Sequence, residues 1–254
     1  MTPGPLLFAR YAYPPNSLGY CGPDDSRALL EYAAAGVADA GLVALERRFA
    51  GAWPYLSLIA AANRCPDPLD ARVVEAYWLG GPMLERVPAG LLARHVADRF
   101  GATVGPRTGD LVRLAGSGGR AHHNFHVFSV YPWVGLLRAG HVAQPLRVLD
   151  YCRVRWGTVS SVHDGQAVVR VRKLCWTGRE LALGGVQTQT ATLATAGGRL
   201  APRVRPGDRV ALHWDWVCDV LAPWQASALH HYTLGQLRVA NHALRRPVAD
   251  RVLG

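Results

Sequence analysis

At about residue 147 the chain changes its hydrophobic period, and that change constrains its architecture more than any single motif. Before it, apolar residues recur at helical spacing. In "SRALLEYAAAGVADAGLVALERRF", Leu29, Leu30, Ala33, Ala34 and Val37 fall at i, i+3, i+4 intervals, with Asp25 or Ser26 placed to cap the start. "WPYLSLIAAANRC" reads as a second helix with Pro54 in its first turn. "PLDARVVEAYWLG" and "PAGLLARHVADRFG" read as two more, stopped by Gly80 and Gly101. "TGDLVRLAGSGGR" reads as a glycine-rich connection, and "AHHNFHVFSVYPWVGLLRAG" as a helix strained near Pro132.

After the change the pattern alternates with period 2. "RVLDYCRVRWGTVSSV", "QAVVRVRKLCW", "RELALGGVQTQTATLA" and "DRVALHWDWVCDVL" read as strands rich in β-branched residues. "HDGQ" at 163–166 is a hairpin turn signal, and "RPGD" at 205–208 is a second turn. Short strands joined by tight turns predict a small closed barrel of the OB type. "APWQASALHHYTLGQLRVANHAL" then predicts a C-terminal helix. The expected fold class is α+β: an all-helical domain over 1–140, then a β-barrel with a terminal helix over 146–254.

Composition removes several function classes. Hydrophobic residues make up 50% and charged residues 18% of the 254, so the chain is globular rather than disordered. No apolar run reaches the roughly 18 residues of a membrane span. "MTPGPLLFARYAYPP" lacks a basic segment followed by a long apolar one, so a cytoplasmic location is expected. The net charge of +10 invites a nucleic-acid reading. The basic residues are almost all arginine, scattered singly and in pairs, with Lys173 the only lysine, so a nucleic-acid partner is not the expectation. The five cysteines form no C-x-x-C pair, which argues against a zinc ribbon.

Cys152 at the head of the first expected strand, the Pro206-Gly207-Asp208 turn and His213 stand in a fixed order along the C-terminal half. Gly157, Val159, Gly165, Val168, Val210 and Leu221 punctuate the same stretch. This arrangement resembles the HypC (HybG, HupF) family of [NiFe]-hydrogenase maturation chaperones, which are small barrels with a terminal helix. In that family a cysteine opens the first strand and a histidine follows a P-G-D turn. The resemblance implies a non-enzymatic accessory protein that holds iron, as an Fe(CN)2CO fragment, with Cys152 and His213 as its metal and cofactor ligands. It also implies two protein partners, the maturation scaffold and the hydrogenase large-subunit precursor. Thiolate is a soft donor and imidazole suits iron, so the pair is chemically apt. Arg153, Arg155 and Arg147 are expected to lower the Cys152 pKa and attract an anionic fragment. In the family the cysteine lies beside a free terminus. Here it stands behind Asp150 and Tyr151, which leaves open whether it reaches His213.

The first half offers other candidates. "FARYAYPPNSLGYCGPDD" resembles the start of an uncharacterised actinobacterial family associated with hydrogenase gene clusters. "LGYCGPDD" puts Cys21 and Asp24 in a glycine-bearing loop, a candidate nucleophile and its carboxylate, or simply a turn and a helix cap. "AHHNFHVF" holds His122, His123 and His126; on a helix His122 and His126 fall at i, i+4 and His123 and His126 at i, i+3, a weaker metal-ligand cluster with His122 and His126 as the leading pair. These residues support one alternative, a thiol- or metal-dependent enzyme at the domain seam; aromatic residues of the barrel half such as Trp214 and Trp216 support another, an OB-type nucleic-acid-binding module.

Overall fold

The computed structural model describes residues 2–245. It is mixed α and β: helices first, then a five-stranded sheet, then one long helix. The helical part runs α1 (Gly4–Ser17), α2 (Ser26–Ala35), α3 (Ala40–Glu46), α4 (Trp53–Ala62), α5 (Ala71–Trp78), α6 (Pro82–Glu85), α7 (Ala89–Val104), α8 (Thr108–Gly116), α9 (His123–Phe125), α10 (Trp133–Arg138) and α11 (Ala143–Cys152). The strands are β1 (Arg155–His163), β2 (Gln166–Trp176), β3 (Leu181–Thr192), the short β4 (Ala194–Thr195) and β5 (Gly198–Arg199), β6 (Arg209–His213) and β7 (Trp216–Val220). Helix α12 (Pro223–Arg245) closes the described chain. Among the described residues no helix is long and apolar enough to cross a membrane.

Local chemistry explains most element ends. Asp25, Asp39 and Asp70 cap α2, α3 and α5 through their side chains. The single helix expected over 26–49 is two, because Gly36 turns left-handed (φ 66°) and Asp39 restarts the chain. Gly101 does not stop α7, which runs on to Val104 and ends at Gly105 (φ 55°). The expected connection at 108–120 is largely helical, as α8. Helix α1 has no counterpart among the expected helices, and it carries Pro14 and Pro15. Both lie in its last turn, and its Phe8, Ala9 and Tyr11 are fully buried.

The strands order as β1-β2-β3-β7-β6, and β6 pairs back to β1, so the sheet closes on itself. The joint between β3 and β7 is a single parallel pair, Thr192 with Trp216. The HDGQ turn is a hairpin with Asp164 and Gly165 both at positive φ (47° and 74°), the primed geometry that suits twisted strands. "DRVALHWDWVCDVL" is not one strand but two, β6 and β7, joined through Trp214 and Asp215. Alternation sends Val210 and Leu212 into the sheet interior with Val159, Val169, Val171 and Val217. It sends Ala211 and His213 outward, toward the helices. Ala211, Cys218 and Leu221 there join one core cluster with Phe8, Tyr11, Tyr77, Leu229 and Tyr232.

The change of period falls later than the sequence suggests. Residues 147–152 belong to α11, and the first strand begins only at Arg155. Cys152 therefore ends a helix rather than opening a strand.

Candidate metal centre

Three elements deliver three side chains to one buried point. Cys152 is the last residue of α11, where Arg153 turns extended (ψ 143°) and stops the helix. His213 ends β6 on the outward-facing side of the sheet, and His123 opens α9. The two imidazoles and the Cys152 thiol offer ligand atoms that all lie within 4.8 Å of one another. His213 is 0%, Cys152 5% and His123 7% exposed, so the group is sealed from bulk water. It lies in the seam between the helical half and the outside of the sheet, walled by Trp78, whose ring centroid is 4.6 Å from His123 and 5.6 Å from His213.

An internal cysteine does reach His213, and Asp150 is the reason. Its Oδ1 accepts the Leu174 backbone N–H at 2.8 Å and two Arg153 N–H groups at 2.9 and 3.2 Å. The end of α11 is thereby pinned to β2, and the free Cys152 carbonyl is held in place. Helix C-termini leave such carbonyls without a partner in the helix. Here the Cys152 carbonyl oxygen lies 2.8 Å from Nε2 of His123 and 2.8 Å from Nε2 of His213.

The remaining ring nitrogens are also held. Nδ1 of His123 lies 3.2 Å from the Tyr77 hydroxyl, and Nδ1 of His213 lies 2.6 Å from the Tyr11 carbonyl oxygen. In its ligand tautomer His123 donates from Nδ1 to the Tyr77 hydroxyl oxygen and keeps an Nε2 lone pair for an ion; without an ion it is satisfied as a neutral ring, donating from Nε2 and accepting at Nδ1. His213 is not, because both its nitrogens face carbonyl oxygens and a neutral ring carries one N–H. Burial holds His213 well below its ordinary pKa and His123 down to about 4, so protonation does not resolve the conflict near neutral pH. A metal ion would resolve it: Nδ1–H donates to Tyr11 and Nε2 is left with a lone pair for the ion. A backbone carbonyl that orients a ligand histidine through its other nitrogen is the usual support of metal sites. This buried group could hold a metal ion. One thiolate and two imidazoles suit zinc, iron or copper rather than magnesium or calcium.

Other expectations for the site need correction. Burial pushes the Cys152 thiol well above its ordinary pKa, with the Cys21 thiol adding to the rise. Arg153 and Arg155 do not lower it. Arg153 is paired with Asp150, while Arg155 bonds the Gln189 side chain at 2.6 Å and the Trp214 carbonyl. Arg147 lies over the Tyr151 ring, 5.8 Å from its centroid. His122 and His126 do not share a helix face, because the chain here makes one short turn, α9, and then a wide π-turn over His126–Val130. His122 Nδ1 accepts the Asn124 N–H at 3.0 Å and its ring stacks on Tyr232. His126 packs on Tyr55, Phe100 and Tyr131. Their neighbour His123, which spacing pairs with His126 at i, i+3, instead joins Cys152 and His213. Asp24 is exposed and Cys21 half-buried in the loop between α1 and α2, and neither belongs to the group of atoms within 4.8 Å.

No curated protein and no solved structure matches the chain. A family model does match, over residues 1–247, which takes in both the helical half and the sheet with its terminal helix. All three candidate ligands fall inside that span, and the chain belongs to this family, DUF6390, a family of unknown function.

Proposed function

We propose that this chain is a metal-holding accessory protein rather than an enzyme, with His123, Cys152 and His213 as the ligands of an iron ion. The carrying observation is the convergence of these three buried side chains, with His213 left one proton short unless its Nε2 serves as a ligand. The donor set alone also suits zinc. Iron is favoured by the resemblance of the C-terminal half to hydrogenase maturation chaperones: a closed sheet with a terminal helix and a cysteine paired with the histidine after a P-G-D turn. On that resemblance the protein serves [NiFe]-hydrogenase maturation and meets the maturation scaffold or the large-subunit precursor. Bound ions release the thiol proton on loading, so the raised thiol of Cys152 does not bar ligation.

Metal analysis and infrared spectroscopy on anaerobically purified protein, co-expressed with a maturation pathway, test both layers. Iron bound in wild type and lost in Cys152→Ala and His213→Ala supports the ion site. Cyanide and carbonyl bands that depend on Cys152 support the Fe(CN)2CO fragment and the maturation role. Iron or zinc without such bands leaves the ion site standing and removes the fragment. No metal in wild type, even after incubation with ferrous or zinc ions, overturns the proposal.

A further inference from the structure

Arginines that are scattered along the sequence gather on the outer face of the sheet. Val159, Val169, Val171 and Val210 point into the closed sheet, so alternation turns Thr158, Arg170, Arg172 and Arg209 outward. The strand register lines them up. Thr158 on β1 pairs with Arg170 on β2 at one side and with Arg209 on β6 at the other. Two strand spacings, about 9.5 Å, thus separate Arg170 from Arg209. Arg172 lies two residues along β2 on the same face, opposite Val186 of β3. Its Nε donates to the Gly184 carbonyl oxygen at 2.9 Å, which steers the side chain. All three arginines are exposed, and none forms an ion pair among the described residues.

These side chains floor a groove. Helix α12 walls one side of it through His230, and its volume is about 340 Å3, the size of a small-molecule site. Among the described residues no aspartate or glutamate lines it, so the charge of the three arginines is not offset there. A cleft lined by one sign of charge concentrates ions of the other sign. The groove also has an apolar side. Val186 is 59% exposed, and the half-buried Trp156 ring packs on His230 with centroids 5.3 Å apart. Trp156 lies two residues before Thr158 on β1, and Val186 lies opposite Arg172, so both sit one step along the strands from the Arg170–Thr158–Arg209 row.

We infer that this groove binds a small phosphate ester carried on an apolar or aromatic body, the chemistry of a nucleoside monophosphate. The phosphate oxygens accept from Arg170, Arg209 and the Thr158 hydroxyl. A guanidinium presents two parallel N–H groups that match phosphate, and such charge-assisted bonds are the strong ones. The body of the ligand lies along Trp156 and Val186, with Arg172 between the two ends. Binding there also offsets the mutual repulsion of the arginines, so the ligand stabilises the folded chain. The metal group plays no part, since none of its three residues lines the groove.

Calorimetric titration of the full chain with phenyl phosphate and with inorganic phosphate tests the site. Phenyl phosphate is expected to bind the tighter of the two. Arg170→Gln and Arg209→Gln are each expected to weaken it at least about tenfold, because each removes charge-assisted hydrogen bonds. Arg48→Gln, an exposed arginine just after α3, controls for attraction by the net charge of +10 and is expected to stay within about twofold of wild type. No binding of phenyl phosphate to wild type, no loss in the groove variants, or an equal loss in Arg48→Gln overturns the inference. Equal affinity for the two phosphates overturns its apolar end. The groove arginines are exposed, so the variants are expected to fold, and thermal melts check this. Phenyl phosphate is expected to raise the Tm of wild type but not of the Arg170→Gln, Arg209→Gln double variant. A single-stranded oligonucleotide that binds where phenyl phosphate does not also overturns the small-ligand site and gives this face to nucleic acid.

Discussion

Glu46 shows how far burial moves a single group in this chain. It ends α3 with 0% exposure, and neither carboxyl oxygen has a hydrogen-bond partner among the described residues. Burial, helped by the charge of Asp67, raises its pKa to about 9. The folded chain therefore keeps Glu46 protonated near neutral pH, while the unfolded chain, with a value of about 4.3, has released the proton. A folded value above the unfolded one means a contribution that is full below the unfolded value and is lost as pH rises toward 9. Glu46→Gln removes that loss. Its stability advantage over wild type is expected to grow by at most about 1.4 kcal/mol per pH unit between pH 5 and pH 8. Urea titrations at these two pH values measure it, and an advantage that does not change with pH contradicts a buried, protonated Glu46. The sequence placed Glu46 on a helix but held no sign that it faced inward. The Cys152–His213 pair was legible, because its signal was an order of residues and turns along the chain. His123 was legible only as one of a histidine cluster; its convergence with His213 was not, because it faces His213 through the irregular turns after Arg120, and a helical spacing count assumes a regular helix.

At the scale of elements, Gly157 sits where β1 presses closest against its neighbour strand. It pairs with Val171 on β2 and Val210 on β6. A Cβ there would lie 2.5 Å from the Arg170 carbonyl oxygen and 2.6 and 2.8 Å from methyl groups of Val169 and Val171. Backbone and branched side chains cannot swing aside as the end of a long side chain can. Gly157→Ala is expected to cost about 1–3 kcal/mol by overpacking the sheet. Gly185→Ala on β3, where a Cβ meets nothing within 4 Å, serves as the control and is expected to stay within about 0.5 kcal/mol of wild type. Chemical denaturation compares the two, and equal effects would show that the sheet yields at Gly157. Period-2 alternation located β1 to β3 correctly because each strand has one face in the sheet interior. It failed over 147–152 because Val148, Leu149 and Cys152 are buried at a spacing that a short strand and a helix end share. It also ran β6 and β7 together, since a two-residue turn carried by Trp214 and Asp215 holds no glycine to announce it.

At the scale of the whole molecule, the sheet keeps an apolar interior of its own, around Val159, Val169, Val171 and Val217, but its outer face shares one core with the helical half. One cluster joins Leu6, Phe8, Tyr77 and Leu92 of the helical half to Ala211, Cys218, Leu221 and Leu229 of the other. Helix α1 is the wedge: its Tyr11 carbonyl faces His213, and its Arg10 pairs with Asp219 of β7 at 3.4 Å. Helix α12 lies against both parts, with the Tyr232 hydroxyl donating to Glu85 Oε1 at 2.8 Å while Asn241 bonds both backbone groups of Leu181. A core shared this way makes each half depend on the other for burial of its apolar face. The chain is therefore expected to unfold in one cooperative step, with far-UV circular dichroism, which follows the helices, and tryptophan fluorescence, which includes Trp156 and Trp176 of the sheet, giving coincident urea transitions. Leu229→Ala on α12 removes a fully buried side chain from the shared cluster and is expected to cost about 2–4 kcal/mol. It should move both signals by the same amount, although Leu229 lies outside the helical half. Two separated transitions, with only the fluorescence change shifted by Leu229→Ala, would show that the halves fold apart. The seam would then be a docking surface, and the metal group a clasp between two independent bodies rather than part of one core.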